Sequence, residues 1–597
     1  LPLWTGCQGE PPDPDRFPVI PHPERMEPGE GAFVLGRETE IRLPSSADAE
    51  LRATVDGWAR DLREETGLPF PVVEGGEGGG EIRIEAPDGR KSGPEALPTG
   101  WGPPGIEAET YQIRIDPGGV EVSATANPGV FYALVTLRQL LRKPVSGDLW
   151  HLPSVRVQDR PRFTYRGMHL DVGRHHFPVE FIKRYIDLLA SYKMNVFHWH
   201  LTEDQGWRLE IQRFPRLTEV GSCRAETILE KNFDPFVGDG VEYCGFYTQD
   251  QVREIVEYAR ARFVTVMPEI EMPGHSVAAL AAYPELACSP GPFQVSTRWG
   301  ITRDIYCPKE ETFQFLEGVL TEVMALFPSR FIHIGGDEAP KTAWEQSEVA
   351  QEIIRREGLE GEAELQSWFI RRIEGFLNEN GRRLVGWDEI LEGGLAPNAT
   401  VMSWRGMRGG IEAARQGHDV IMTPTGWAYF DYYQGDTLPE PLAIGGYTPL
   451  EKVYAFEPIP RELSREEGRR VLGAQGNVWT EYMASSSHVE YMVLPRMLAM
   501  AEVVWSPQEQ RSWKTFMGRL PGHLNRLGRQ GINFRPPDAL RLPDPAVRGN
   551  PGPLRGDPEP SREGSTRPGE EGRFLPPAVL PHAERGQGLR LRAVTGP

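Results

Sequence analysis

The chain has 597 residues, a formal net charge of −20 and a sequence pI near 5.3. This acidic balance argues against a nucleic acid or an anionic membrane surface as a partner. No stretch of about 18 consecutive apolar residues is present, so the sequence predicts no transmembrane segment.

The first segment, residues 1–29, is interpreted as a leader or linker. Leu3–Cys7 resembles the end of a bacterial lipoprotein signal, in which Cys7 would carry lipid. We therefore expect an exported bacterial protein that is periplasmic, lipid-anchored or secreted. The other four cysteines match no zinc-binding spacing, so one disulfide is possible and a disulfide framework is not expected.

Residues 30–158 are predicted to form a small α+β domain without a cluster of chemically useful side chains. Its predicted strands are Glu40–Leu43, Glu81–Glu85, Tyr111–Ile115 and Val120–Ser123. Its predicted helices are Ala49–Thr66 and Gly129–Leu141, the second preceded by a start signal at Asn127-Pro128. We interpret this domain as structural.

Residues 159–535 show strands alternating with helices, the pattern of an α/β fold and specifically of a (β/α)8 TIM barrel. The eight predicted strands are Gly167–Val172, Asn195–Leu201, Thr265–Ile270, Phe331–Ile334, Arg383–Trp387, Thr400–Trp404, Asp419–Met422 and Gly473–Trp479. The predicted helices are Pro178–Tyr192, Thr248–Arg262, Glu310–Phe327, Ala363–Asn380, Gly409–Gln416, His488–Val504 and Pro507–Leu527. Residues 536–597 form a Pro- and Gly-rich tail without a hydrophobic period, which indicates a disordered or degenerate segment.

The fourth predicted barrel strand ends in an unusual doublet. Two glycines are followed at once by Asp337 and Glu338. A stable core avoids two adjacent buried carboxylates, because desolvating like charges side by side is costly. A catalytic cleft uses such crowding, since it separates the pKa values and thereby the roles of two acids.

Active sites of TIM barrels lie at the carboxyl ends of the strands, and most of these ends carry a tryptophan, a carboxylate or both. The polar and aromatic side chains there include Asp204, His275, Trp387, Trp404, Tyr429, Asp431, Trp479 and Glu481. Indole rings pack on the apolar faces of sugars, and carboxylates accept hydrogen bonds from sugar hydroxyls. The set therefore predicts a carbohydrate substrate.

Together these segments resemble glycoside hydrolase family 20, the β-N-acetylhexosaminidases. The most specific segment is His333-x-Gly335-Gly336-Asp337-Glu338. Supporting segments are Arg166-Gly167-x-x-Leu170-Asp171, His200-Leu201-x-x-Asp204-Gln205-Gly206-Trp207, Pro273-Gly274-His275, Gly386-Trp387-x-Glu389 and Trp479-x-Glu481. The resemblance covers about residues 30–535 and includes the small domain.

The resemblance implies hydrolysis of terminal non-reducing β-linked N-acetyl-D-hexosamines, with retention and with assistance from the substrate. The 2-acetamido oxygen would attack the anomeric carbon and form an oxazolinium ion. Glu338 would be the general acid and then the base, while Asp337 would orient the acetamido group and stabilise positive charge. Tyr429 would donate its hydroxyl to the acetamido oxygen. No cofactor or metal is implied.

The same resemblance assigns roles to the remaining site residues. Trp387, Trp404 and Trp479 would line the pocket, and Arg166, Asp431 and Glu481 would hold sugar hydroxyls. Asp204 and His275 would form a supporting pair near the acid. One departure is Ile444, which stands where the family pattern often has a further tryptophan before Gly-Tyr.

Two other classes of protein remain as alternatives. A metal-dependent hydrolase is suggested by the His-x-His spacing of His198 and His200, with His175 and His176 nearby. No matching ligands are expected on later strands, so these histidines are interpreted as hydrogen-bonded supporting residues. A catalytically dead sugar-binding barrel would have lost the acid, whereas Glu338 is present. The choice between gluco and galacto substrates, the natural substrate and the oligomeric state stay open.

Overall fold

The computed structural model describes residues 16–76, 80–85, 102–103, 105–143, 149–435 and 440–538. The small domain and the barrel belong to one compact unit, Leu1–Arg541. The predicted lipid-bearing Cys7 and nearly all of the predicted tail lie outside the described residues. The boundary at residue 30 is wrong, because the first strand, Arg25–Val34, crosses it and Phe17 and Val19 pack in the core of the small domain.

The small domain is built on one mixed seven-stranded sheet. Its strands in chain order are β1 (Arg25–Val34), β2 (Ile41–Leu43), β3 (Val72–Glu74), β4 (Ile82–Ile84), β5 (Tyr111–Asp116), β6 (Gly119–Ala124) and β7 (His151–Asp159). The spatial order is β1-β7-β5-β6-β4-β2-β3. The sequence reading missed β1, β3 and β7; β1 lies at the sheet edge, where its Pro28 is tolerated because an edge strand has unpaired N–H positions.

Two helices cover one face of this sheet, Ala49–Thr66 and Asn127–Leu140, and both were predicted to within two residues. Their apolar faces form a buried cluster with alternate residues of the strands, such as Ile113 and Val122. Trp505, from a helix of the barrel, belongs to the same cluster, so the two domains pack against each other there.

The larger domain is a closed barrel of eight parallel strands, as predicted. Its strands are β8 (Tyr165–Asp171), β9 (Val196–His200), β10 (Thr265–Met272), β11 (Phe331–Gly335), β12 (Arg383–Trp387), β13 (Thr400–Ser403), β14 (Val420–Met422) and β15 (Val471–Gly476). Pairing of β15 with β8 closes the barrel. All carboxyl ends therefore meet at one mouth, where side chains that follow the strands can converge.

Helices alternate with these strands along the chain. The longer ones are Val179–Ser191, Gln249–Arg260, Glu310–Leu326, Glu348–Glu357, Glu362–Glu379, Arg408–Arg415, Ser486–Val493, Arg496–Trp505 and Trp513–Arg529. Short ones are Arg216–Glu219, Val277–Ala282, Thr342–Glu345, Thr425–Ala428 and Leu450–Ala455. The predicted helix His488–Val504 is divided in two at Leu494-Pro495, because proline cannot donate the next helical hydrogen bond. The predicted helix Pro507–Leu527 begins only at Trp513.

The long loops at the mouth contain short strand pairs and two disulfides. The pairs are Thr202–Glu203 with Gly206–Trp207, Cys223–Arg224 with Tyr243–Cys244, and Ile228–Phe233 with Phe236–Gly238. Cys223 bonds to Cys244, and Cys288 bonds to Cys307. The expectation of at most one disulfide is wrong, because both pairs join cysteines that are distant by about 20 residues in sequence but adjacent across loops. Among the described residues no helix is long and apolar enough to span a membrane.

Candidate active site

The Asp337-Glu338 doublet follows β11 on a backbone that turns sharply. Gly335, Gly336 and Glu338 all have positive φ, at 67°, 90° and 43°. A Cβ atom at Gly335 would lie 1.7 Å from the Glu271 carboxylate, so only glycine permits this close approach. Asp337 is thereby buried, at 7% exposure, while the Glu338 side chain keeps 33% of its surface exposed. One acid of the doublet is desolvated and its neighbour faces the open mouth.

His275 connects the doublet to a second pair of carboxylates. Its Nε2 lies 3.5 Å from Glu338 Oε2 and 3.7 Å from Asp337 Oδ2. Its Nδ1 lies 2.7 Å from Glu203 Oε1 and 3.6 Å from Asp204 Oδ2. The predicted Asp204–His275 pair near the acid is present, but Glu203, which the sequence analysis missed, is the nearer partner. Against the effect of burial, these carboxylates hold the pKa of His275 well above its usual value, so His275 is an imidazolium.

The protonation of Asp337 is coupled to the folding of the protein. Burial, opposed by His275 and assisted by Glu338, raises the pKa of Asp337 from 3.8 to about 7. Between these two values the folded protein retains a proton that the unfolded chain has released, so this carboxyl lowers stability as pH rises through the window.

We expect Asp337→Asn to raise the melting temperature by about 2 °C or more at pH 8 and by less near pH 4, because the amide avoids burying a charge. Differential scanning calorimetry at both pH values measures the two differences. An equal or lower melting temperature at pH 8 would contradict the assigned desolvation of Asp337.

The three predicted tryptophans converge on one side of the mouth, and we call Trp387, Trp404 and Trp479 the tryptophan wall. The rings of Trp387 and Trp479 have centroids 5.8 Å apart. Trp404 stacks on Tyr429 at 6.2 Å and donates its indole N–H to Glu389 at 2.9 Å. Each ring is therefore fixed by a neighbour, which leaves a rigid aromatic surface suited to the apolar face of a sugar.

Beside this wall, Asp431 and Glu481 have carboxylate oxygens that accept no hydrogen bond from the described residues of the protein. Both oxygens of Asp431 and one oxygen of Glu481 are buried without a protein partner. Burial and the mutual repulsion of the two groups raise the pKa of Asp431 well above its usual value, and burial also raises that of Glu481. Buried oxygens without partners are rare, and here they match the predicted role of receiving sugar hydroxyls.

The arginine of the site is Arg174 and not the predicted Arg166. Arg174 Nη1 lies 3.1 Å from Glu203 Oε2, and its Nε lies 4.0 Å from Glu481 Oε1. Its guanidinium carbon is 5.0 Å from the ring centroid of Trp479. Arg166 lies at the amino end of β8, where it forms a fully buried double hydrogen bond with Glu109 of the small domain at 2.7 and 2.9 Å.

The two arginines predict opposite consequences of substitution. Arg174→Met should lower kcat/KM by about 10²-fold or more, because it leaves buried carboxylates unpaired beside the substrate. Arg166→Met should instead lower the melting temperature, since breaking a buried pair costs about 3–5 kcal/mol, with kcat/KM per folded molecule unchanged. Active-site titration combined with calorimetry separates the two effects, and a catalytic defect in properly folded Arg166→Met would reinstate the sequence prediction.

His198 and His200, whose spacing suggested a metal-dependent hydrolase, lie inside the barrel in a hydrogen-bonded network. Later strands do supply neighbours for them, namely Glu269 and His333, contrary to the sequence expectation. His198 Nδ1 accepts from the Gln475 amide at 3.0 Å, so its proton is on Nε2, which faces Glu269 at 3.1 Å. His200 faces a carboxylate from each ring nitrogen. All four ring nitrogens of His198 and His200 thus face a polar group of the protein, so the geometry suits hydrogen bonding better than metal ligation. His175 and His176 lie outside this network; His175 Nδ1 contacts the carbonyl oxygen of Thr480 at 2.6 Å.

Ile444, at the departure from the family pattern, lies on the rim with 40% of its surface exposed. Its carbonyl oxygen accepts a hydrogen bond from Lys231 at 2.8 Å. Lys231 belongs to the strand pair within the Cys223–Cys244 loop and also lies 5.4 Å from the ring of Tyr482. The rim at this position is thus built from loops after β9 and β14 and has no indole from residue 444.

Comparison with known proteins agrees with this geometry. Residues 163–508 match the profile of Glycosyl hydrolase family 20, catalytic domain, and residues 16–160 match domain 2 of the same family. The chain is 46% identical over 526 residues to a beta-hexosaminidase of Porphyromonas gingivalis, with 87% of this chain and 64% of that relative covered. It thus spans less than two thirds of that relative's length.

Two solved structures share the fold over most of this chain. An exo-beta-N-acetylglucosaminidase from Vibrio harveyi in complex with N-acetylglucosamine has 31% identity and a TM-score of 0.75, covering 88% of this chain and 79% of that chain. The Streptomyces plicatus N-acetyl-beta-hexosaminidase has 31% identity and a TM-score of 0.74, covering 88% of this chain and 97% of that chain.

Proposed function

The chain belongs to glycosyl hydrolase family 20, and we propose that it removes terminal non-reducing β-linked N-acetyl-D-hexosamines from oligosaccharides or glycoconjugates. The observation that carries this proposal is the doublet at the end of β11. A buried Asp337 and a partly exposed Glu338, both within 4 Å of His275, lie at the end of one strand. Sequence neighbours cannot flank a sugar ring from opposite faces, so the nucleophile is best supplied by the substrate.

In the proposed reaction Glu338 donates its proton to the glycosidic oxygen as the bond to the anomeric carbon breaks. The 2-acetamido oxygen attacks the same carbon and gives an oxazolinium ion, and the leaving group departs as an alcohol. Asp337 accepts the acetamido N–H and stabilises the positive charge, while Tyr429 donates to the acetamido oxygen. Glu338, now ionised, takes a proton from water, which opens the oxazolinium ion with net retention.

The remaining residues hold the sugar during these steps. The tryptophan wall covers the acetamido methyl group and the ring, and Arg174, Asp431 and Glu481 bind hydroxyls. Asp204 and His275 support the acid. Because these side chains are held rigidly, the sugar is positioned and the charges of the transition state are stabilised with little rearrangement of the protein.

Release of nitrophenol tests the proposal. The protein should hydrolyse 4-nitrophenyl β-N-acetylglucosaminide or the galactosaminide and leave the β-glucoside essentially intact, because the glucoside lacks the acetamido nucleophile. Equal cleavage of the acetamido sugar and the glucoside would refute the mechanism. Loss of activity on chelation, with recovery on addition of a divalent metal, would favour the metal-dependent alternative.

We further propose that the protein is exported. The two disulfides support this proposal, because such bonds persist mainly in oxidising compartments. Alkylation without reduction, followed by mass spectrometry of protein from its native cells, should recover Cys223–Cys244 and Cys288–Cys307 as linked peptides. Four alkylated thiols at these positions would contradict export.

A further inference from the structure

Glu269 is a fully buried carboxylate inside the barrel, below the acid and the tryptophan wall. Its Oε1 lies 2.7 Å from His333 Nδ1 and accepts the Trp387 indole N–H at 2.8 Å. Its Oε2 lies 2.5 Å from His200 Nδ1 and 3.1 Å from His198 Nε2. Four nitrogen groups from three other strands thus surround one carboxylate. Although burial opposes it, these partners hold the pKa of Glu269 well below its usual value.

His200 extends this arrangement towards the mouth. Its Nε2 lies 3.2 Å from Glu203 Oε2, so the ring bridges two buried carboxylates. Burial alone would lower the pKa of His200, but Glu269 and Glu203 raise it to about 10. His200 therefore carries a fixed positive charge at neutral pH.

Other charged groups face the same bridge. Arg174 Nη1 lies 3.1 Å from Glu203, Glu271 Oε1 lies 3.9 Å from His200 Nδ1, and His169 Nε2 lies 4.0 Å from Glu269. Asp171 also favours the charged form of His200. Burial and neighbouring carboxylates raise the pKa of Glu271 well above its usual value, and burial lowers that of His169, so both shifts favour the neutral form.

The contacts form an unbroken line from the catalytic acid into the barrel. It runs from Glu338 to His275 at 3.5 Å, then to Glu203 at 2.7 Å, to His200 at 3.2 Å and to Glu269 at 2.5 Å. Carboxylates and imidazolium rings alternate along it. At its inner end Glu269 also fixes Trp387, so one carboxylate connects the proton donor with the sugar-binding wall.

We propose that Glu269 is a positioning residue for the acid: through His200, Glu203 and His275 it orients Glu338 towards the glycosidic oxygen, while it holds Trp387 against the sugar. This inference rests on the proposed function. Glu269 touches no substrate in this scheme, and its effect on the reaction is transmitted by the fixed charge of His200.

Glu269→Gln tests the proposal, because glutamine keeps the shape and removes the charge. A misplaced acid matters most where the leaving group needs a proton. We expect kcat/KM for chitobiose to fall at least about tenfold more than kcat/KM for a 2,4-dinitrophenyl β-N-acetylglucosaminide, whose leaving group departs unprotonated. Equal losses on the two substrates would overturn the proposal.

Glu109→Gln is the matched control. Glu109 is also a fully buried carboxylate with charged hydrogen bonds, but it lies at the amino end of the barrel with Arg166. This variant should have a lower melting temperature, while the ratio of the two kcat/KM values stays at that of the wild type. A changed ratio in Glu109→Gln would show that the ratio responds to any loss of stability of the fold, which would also overturn the proposal.

Proton NMR of histidine-labelled wild-type protein gives a readout that needs neither a variant nor activity. The short His200–Glu269 contact predicts a strongly downfield ring N–H signal that persists to about pH 9. Titration of that proton near pH 6 would remove the fixed charge and overturn the proposal. An inactive wild type that shows the persistent signal would count against the proposed function alone, so the two failures are distinguishable.

Discussion

Glu338→Gln is expected to lower kcat for chitobiose by about 10³-fold, within the range of about 10²–10⁴ that a positioned general acid contributes. The amide cannot protonate the glycosidic oxygen. The loss should be much smaller for the first step with a 2,4-dinitrophenyl leaving group, which departs without a proton. Because Glu338 also serves as the base for water, the oxazolinium ion should then accumulate or break down slowly. Steady-state and pre-steady-state release of dinitrophenol measure the two steps.

Glu392→Gln is a suitable control, because Glu392 lies in the loop after β12 and bonds to Arg405 without contact to the doublet. It should retain kcat for both substrates. A uniform loss across leaving groups in Glu338→Gln would assign Glu338 a structural or binding role instead of proton transfer.

Asp337→Asn is expected to lower kcat by about 10²–10³-fold, the cost of removing one preorganised electrostatic partner from a transition state. The amide cannot accept the acetamido N–H and cannot stabilise the positive charge of the oxazolinium ion. Unlike Glu338→Gln, this loss should be similar for good and poor leaving groups, because the acetamido oxygen displaces either leaving group from the anomeric carbon in the same step and needs Asp337 in both cases.

Azide distinguishes this role from that of a protein nucleophile. Where a carboxylate nucleophile has been removed, azide can take its place and restore turnover as a glycosyl azide of inverted configuration. Asp337→Asn should show no such rescue and no such product. Because the same variant is expected to be more stable at pH 8, a loss of kcat cannot be ascribed to unfolding.

Much of the fold was predictable because barrel strands buried on both faces appear as short apolar runs between helices. All eight barrel strands were identified, and Arg383–Trp387 was placed to the residue. The edge strand β1 was missed because Pro28, Gly29 and Gly31 interrupt its alternation. The break at Pro495 was missed because the apolar period continues across it, although proline itself was the available signal.

The site was predictable where a motif places residues at strand ends, as for Asp337, Glu338 and Trp479. The prediction was wrong for Arg166, because this residue is near the first barrel strand but lies at its amino end, not at its carboxyl end. Strand polarity alone would have favoured Arg174, which follows Asp171 at that end. The partnership of Glu203 with His275 and the network around Glu269 depend on side-chain packing between strands distant in sequence, which no local pattern contains.

The identity of the nucleophile is tested most directly by a series of 4-nitrophenyl glycosides whose acetamido methyl group carries zero, one, two or three fluorines. Fluorine withdraws electrons from the carbonyl oxygen and makes it a poorer nucleophile while changing the size of the group little. If the acetamido oxygen attacks the anomeric carbon, kcat/KM should fall progressively through the series, by orders of magnitude overall. Equal kcat/KM values for the acetyl and trifluoroacetyl substrates would contradict substrate assistance and require a nucleophile from the protein.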